Sequence, residues 1–293
     1  MKSIYDRIRE AIVQSLLHDI VTTSKATAYS GMLMFFPALL VITTLLAPAE
    51  EGPTLMGQTR GVLEQFVPSD TLDMVQSQIL THHLHSGRLI FSAACLSLFA
   101  ALGVMLSLME GFRRAYRLPL ESWSFWGRRV RGLLLVPIVL LPLAVATLAI
   151  VFGHQFERWM IENSDHDLHY IVILFWRMVR WSVTFAAAVA VLTALYHFGT
   201  RRTESWHRVA PGAIAGTIIW FPSTLAYGWY VTNFANYTRI YGSFAAGIAT
   251  LVWLYITAFS VLLGAELNGV LYEERQNQGA GGSVRKKPDE SAY

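Results

Sequence analysis

The sequence predicts an all-α fold, a polytopic membrane helical bundle of about six transmembrane helices with an N-terminal interfacial helix ahead of them. Three observations carry that expectation. Apolar stretches recur at roughly 28–48, 89–109, 132–152, 171–197, 211–232 and 243–271, and an α-helix needs about 20 mainly apolar residues to span a hydrocarbon core of about 30 Å. Hydrophobic residues make up 54% of the 293 and charged ones only 15%, with mean hydropathy +0.41, where a soluble domain carries about a quarter charged residues. The third observation is that basic residues crowd into alternate loops.

The elements follow in order. Residues 1–20 put Ile4, Ile8, Ala11, Ile12 and Leu16 on one helical face, with Lys2, Arg7, Arg9 and Glu10 largely elsewhere. That pattern predicts an amphipathic helix lying in the membrane interface. It has no apolar core or cleavage site of a signal peptide. After the first span comes the longest loop, about 49–88. It holds two weaker apolar patterns, Leu55 to Val67 and Leu72 to Leu80, separated by Pro68-Ser69-Asp70, which predict short helices on the outer surface. Spans two to six follow with short connections. One integral membrane unit is therefore expected over 1–275. The Gly-, Lys- and Ser-rich tail over 276–293 lacks an apolar period and is expected to be disordered.

Orientation is read from Lys and Arg. Seventeen of them, among them Arg113, Arg114, Arg117, Arg128, Arg129 and Arg131, fall in one set of loops and the two terminal segments; four, Arg60, Arg88, Arg158 and Arg239, fall in the other. Cytoplasmic loops carry the excess, so both termini are expected in the cytoplasm, and an even number of spans requires them on one side. Topogenic charge accounts for the Arg113–Arg131 cluster, and no nucleic-acid partner is expected. Cys95 is the only cysteine, which excludes an intramolecular disulfide and a zinc site built on paired cysteines.

Near the last span the sequence carries recognisable motifs. Tyr241-Gly242-Ser243-Phe244, then Leu251-Val252-Trp253-Leu254-Tyr255 and Gly264-Ala265-Glu266-Leu267-Asn268, together with Ala28-Tyr29-Ser30 leading to Phe36-Pro37-Ala38-Leu39-Leu40 and with Pro211-Gly212-Ala213, closely resemble the signature of the YihY/BrkB family. The resemblance covers roughly 10–272. It implies a bacterial inner (plasma) membrane protein of about six spans. Parts of that family carry the older label ribonuclease BN, and it has no agreed substrate or catalytic residues.

Ionisable residues inside apolar spans are the candidates for function, because insertion costs about 2.5–3.5 kcal/mol each. Arg177 and Arg180 stand three apart in the fourth span, so both guanidinium groups share a helix face. Turned inward they form a site for phosphate or carboxylate, since Arg presents a planar fork of donors; turned outward they snorkel to the headgroups beside Trp176 and Trp181. Glu266 and Asn268 lie late in the sixth span, and Glu110 closes the second. Glu266 either pairs with Arg113, Arg114 or Arg202 to fix packing, or with Glu110 serves as an ion or proton site. Pro37, Pro137, Pro142 and Pro222 fall inside spans, where each removes a backbone hydrogen bond and kinks the helix. Gly212, Gly216, Gly242, Gly247 and Gly264 allow close helix approach.

Hydrolytic constellations are poor. His82-His83-Leu84-His85 and Asp165-His166-Asp167-Leu168-His169 read as incidental outer-loop residues, and no P-loop, nucleotide-binding glycine pattern, G-x-S-x-G or HExxH occurs. No catalytic residue, metal or cofactor is expected, the chain is not expected to be an enzyme, and ribonuclease activity is not expected. The expected role is transport or flipping of an anionic envelope component, either lipid-linked or a small anion, with the lipid bilayer and that substrate as partners. The alternatives are an ion or proton exchanger using the carboxylates, and a non-transporting envelope-assembly protein that docks another protein or a second copy of itself.

Overall fold

A computed structural model describes residues 3–46, 87–119, 124–142, 169–200, 205–233 and 244–284. Among the described residues there are seven helices and no strand: α1 (Ile4–Leu17), α2 (Ile20–Leu46), α3 (Gly87–Ala115), α4 (125–142), α5 (His169–Gly199), α6 (Trp206–Asn233) and α7 (Ala245–Val284). Within them α3, α5, α6 and α7 are long and apolar enough to cross a membrane. The loop helices expected at 55–67 and 72–80 lie outside the described residues, as does 143–152 of the third expected span.

Polarity is inverted relative to a soluble protein. Large apolar side chains point outward, including Phe91, Phe99, Leu141, Trp229 and Phe244, while Thr27, Thr217, Thr250, Ser260, Glu266 and Asn268 are buried. In lipid, outward apolar groups cost nothing and inward polar groups need partners. The threonines find theirs within their own helices. Thr27, Thr217 and Thr250 each donate to the carbonyl four residues back, at 2.8 Å.

Helix α7 is the hub, packed against α1, α2, α3 and α6. It crosses α6 backbone to backbone. Gly212 and Gly216, one turn apart on α6, face Gly264 and the carbonyl of Ser260 on α7, and a Cβ at Gly212 or Gly264 would run into the opposing main chain. Small residues at such a spacing let transmembrane helices associate through contact alone. Tyr196 of α5 seals the crossing by donating to the carbonyl of Val261 at 2.6 Å, and its ring meets Phe112 of α3 edge to face. Pro37 lies inside α2, Pro211 and Pro222 inside α6, and Pro137 and Pro142 inside α4.

Two elbows shape the end of the bundle where α1 meets α7. Between α1 and α2, Asp19 adopts φ 56°, the left-handed conformation that normally selects Gly or Asn. At the end of α3, Arg117 does the same at φ 51°. There Arg117 N–H bonds to Arg114 C=O and Leu118 N–H to Arg113 C=O, a Schellman motif with arginine where glycine is usual. The far end of α7 is helical to Val284, past 276, where an unstructured tail was expected; 285–293 lie outside the described residues.

Candidate functional site at the basic end of the bundle

Helix α1 starts from Ser3, whose N–H donates to the Asp6 carboxylate at 3.1 Å. Its apolar face is divided. Ala11 and Ser15 are buried, while Tyr5, Ile8, Ile12, Leu16 and Leu17 stay exposed. Arg7 holds the helix to α7 through Glu274 at 3.0 Å, and its last turn delivers His18. His18 Nδ1–H donates to Glu266 Oε1 at 2.8 Å, and Glu266 is only 1% exposed. The partner of Glu266 is therefore His18 and not Arg113 or Arg114; Arg202 lies outside the described residues. The elbow at Asp19 is the reason, because it lays the end of α1 over α7.

Glu110 is the second centre. Its carboxylate accepts from Arg113 at 2.5 and 3.1 Å, from Arg114 at 3.2 Å and from Arg128 at 3.2 Å. Three guanidinium groups thus share one carboxylate. Arg114 lies 3.9 Å from Asp19, Arg117 pairs with Glu273, and Arg128 also donates to the carbonyl of Leu106 at 3.2 Å. Between these groups open two adjoining clefts. One, about 320 Å³, is lined by Asp19, Thr23, Ser107, Glu110, Arg114 and Arg128; the other, about 380 Å³, by His18, Asp19, Arg113, Arg114, Arg117 and Leu118. Glu266 and the kink prolines line neither.

Asn268 serves the α6–α7 crossing. Its Oδ1 accepts from Gly212 N–H at 2.9 Å and its Nδ2–H donates to Val209 C=O at 2.8 Å, with the side chain fully buried. These contacts bracket Pro211, which has no N–H to give the helix. Asn268→Leu removes both buried hydrogen bonds, at about 0.5–1.5 kcal/mol each. A lower unfolding temperature in detergent than wild type is the expected result.

Arg180 lies on α5, half-buried, about 16 Å from the start of that helix at 1.5 Å per residue. Among the described residues it has no ion-pair partner. The next residue, Trp181, packs edge to face on Phe221 of α6 at 5.3 Å. Arg177 belongs to α5, but its side chain lies outside the described residues. Arg180 and the basic end are separate sites. Among the described residues no three His, Cys, Asp or Glu side chains gather as metal ligands; 82–85 and 165–168 lie outside them. His18, Asp19, Arg117 and Arg128 are the site residues that sequence reasoning missed. Their one advance signal is a polar His18-Asp19 pair interrupting two helical patterns.

Four membrane-length helices with outward apolar surfaces, joined at one end by a cluster of ion pairs, define a helical membrane protein. The chain matches the family described as Virulence factor BrkB over residues 11–289 and belongs to it. It is 28% identical over 292 residues to the ribonuclease-like protein YfkH of Bacillus subtilis (strain 168), covering 98% of each chain. It is also 24% identical to a UPF0761 membrane protein of Vibrio campbellii, over 89% of this chain and 81% of that one. No solved structure matches.

Proposed function

We propose that this protein moves an anionic, lipid-linked envelope component across the bacterial inner membrane, as a transporter or flippase with both termini in the cytoplasm. The observation that carries this reading is Arg180, half-buried in a membrane-length helix with no acidic partner among the described residues. A charge kept at such cost in a membrane-length helix is suited to an anion that arrives and leaves. Arg177, three residues earlier on the same helix, is the second candidate contact. The exchanger reading has less support, since Glu266 and Glu110 are both engaged by basic partners. No chemical step on the substrate is part of this proposal, and the ribonuclease-like name belongs to YfkH.

The test is transbilayer movement of fluorescent phosphatidylglycerol in proteoliposomes, expressed per inserted protein. Arg180→Gln keeps bulk and donors but loses the charge, and should slow movement about ten- to a hundredfold, the rate equivalent of a charged hydrogen bond worth about 1.5–3 kcal/mol. Arg180→Lys should restore part of the rate, because a point charge replaces a fork. Equal rates for Arg180→Gln and wild type would remove this mechanism.

A further inference from the structure

We infer that the cleft between the α1–α2 elbow and the end of α3 binds a phosphate group, presented by an anionic lipid headgroup or as a free phosphate. Three features of the cleft support this. Its walls hold more guanidinium than carboxylate: Arg113, Arg114 and Arg117 line it with one carboxylate, Asp19, which approaches Arg114 no closer than 3.9 Å, while Glu110 and Glu273 hold these arginines from outside the lining. The side chains of Arg114 and Arg117 remain 37% and 41% exposed, so donor edges of their forks are open to a ligand that accepts several hydrogen bonds at once.

The second feature is the surroundings. Leu16 and Leu17 are 68% and 71% exposed beside His18 and Asp19, and they continue the outward apolar strip of α1 formed by Tyr5, Ile8 and Ile12. A cationic cleft with an apolar rim matches a molecule that is anionic at one end and acyl at the other. Basic pockets among transmembrane helices take headgroups in this way. At about 380 Å³ the cleft falls in the range of small-ligand sites, about 300–1,000 Å³.

The third feature is the backbone. Asp19 and Arg117, on opposite walls, both hold left-handed φ values without being glycine. Such backbone strain concentrates where side-chain placement matters to function.

This site does not depend on transport; Arg180 lies elsewhere, and the two fail separately. The probe is native mass spectrometry of full-length protein, exchanged from detergent into nanodiscs of phosphatidylglycerol and phosphatidylcholine. A parallel titration uses inorganic phosphate and glycerol 3-phosphate in neutral detergent. Wild type should retain phosphatidylglycerol over phosphatidylcholine, and the double variant Arg114→Gln/Arg117→Gln should retain at least about tenfold less. Arg129→Gln, on α4 outside both clefts, should retain as much as wild type. Soluble phosphates binding as tightly as the lipid would support the site with a free ligand; binding only at far higher concentration would support a headgroup. Equal retention by wild type and the double variant, or equal loss in Arg129→Gln, would overturn the inference. If the double variant does not fold, Arg114→Lys decides. It keeps the charge and loses the fork, so a several-fold loss supports the site and an unchanged affinity overturns it.

Discussion

Gly264→Val should leave almost no folded protein in the membrane. At Gly264 the first side-chain atom already meets Gly212 C=O and the Tyr196 hydroxyl, and the Cα of Gly216 stands 3.1 Å away. Two of those neighbours are backbone, so no rotamer change relieves the clash. Helices α6 and α7 would have to separate, breaking the Asn268 contacts to Val209 and Gly212 and the Tyr196 bond to Val261 with them. Overpacking in a well-packed core costs about 1–3 kcal/mol and more where the backbone must move; here a loss above about 3 kcal/mol is expected. The measurements are membrane abundance and thermal unfolding in detergent. Gly228→Ala is the control, because a Cβ there meets nothing within 4 Å, and it should match wild type. A Gly264→Val protein as abundant and as stable as wild type would show that the close crossing does not hold the bundle together.

The second large effect is expected at Glu266. Truncation to Ala removes the acceptor for His18 and leaves a cavity in the most buried part of α7. Breaking a buried pair of this kind costs about 3–5 kcal/mol. Glu266→Gln should cost far less, since the amide oxygen still accepts from His18 Nδ1–H. It should also leave transport per inserted protein unchanged, which separates the packing role from a proton-carrying one: a proton site would lose its activity in Gln while keeping its fold. A double-mutant cycle with His18→Ala should be strongly non-additive, because the two groups act as one.

The helices were legible because long apolar runs separated by charge describe their own lengths. Glu266 and Asn268 were legible as positions needing an inward partner, and both are buried. Their partners were not. His18 sits 248 residues from Glu266, at the end of a segment whose period announces an interfacial helix and says nothing of what its polar edge touches. The elbow that brings His18 there is made by Asp19, and the turn after α3 by Arg117. Neither is the glycine that would mark a left-handed residue in a sequence. Glu110 was named as a second-span carboxylate, yet Arg128 reaches it from another helix across a loop. Gly212 and Gly264 were visible as points of close approach, although not as each other's partner. For Arg180 the apolar span pointed equally to an inward anion contact and to a snorkelling side chain; the residue is half-buried, and the side chain of Arg177 lies outside the described residues.

The clasp between His18 and Glu266 also has a consequence for synthesis. It joins α1 to α7, and so does the pair of Arg7 and Glu274. At about 5–20 residues per second, a ribosome needs roughly 12–50 s to pass from one end of that clasp to the other. Throughout that interval α1 has no α7 to hold it, and its exposed Tyr5, Ile8, Ile12, Leu16 and Leu17 can rest only on the membrane surface. The bilayer then acts as a temporary partner for the nascent chain, and a stop codon before Glu266 would leave the first helix permanently unclasped.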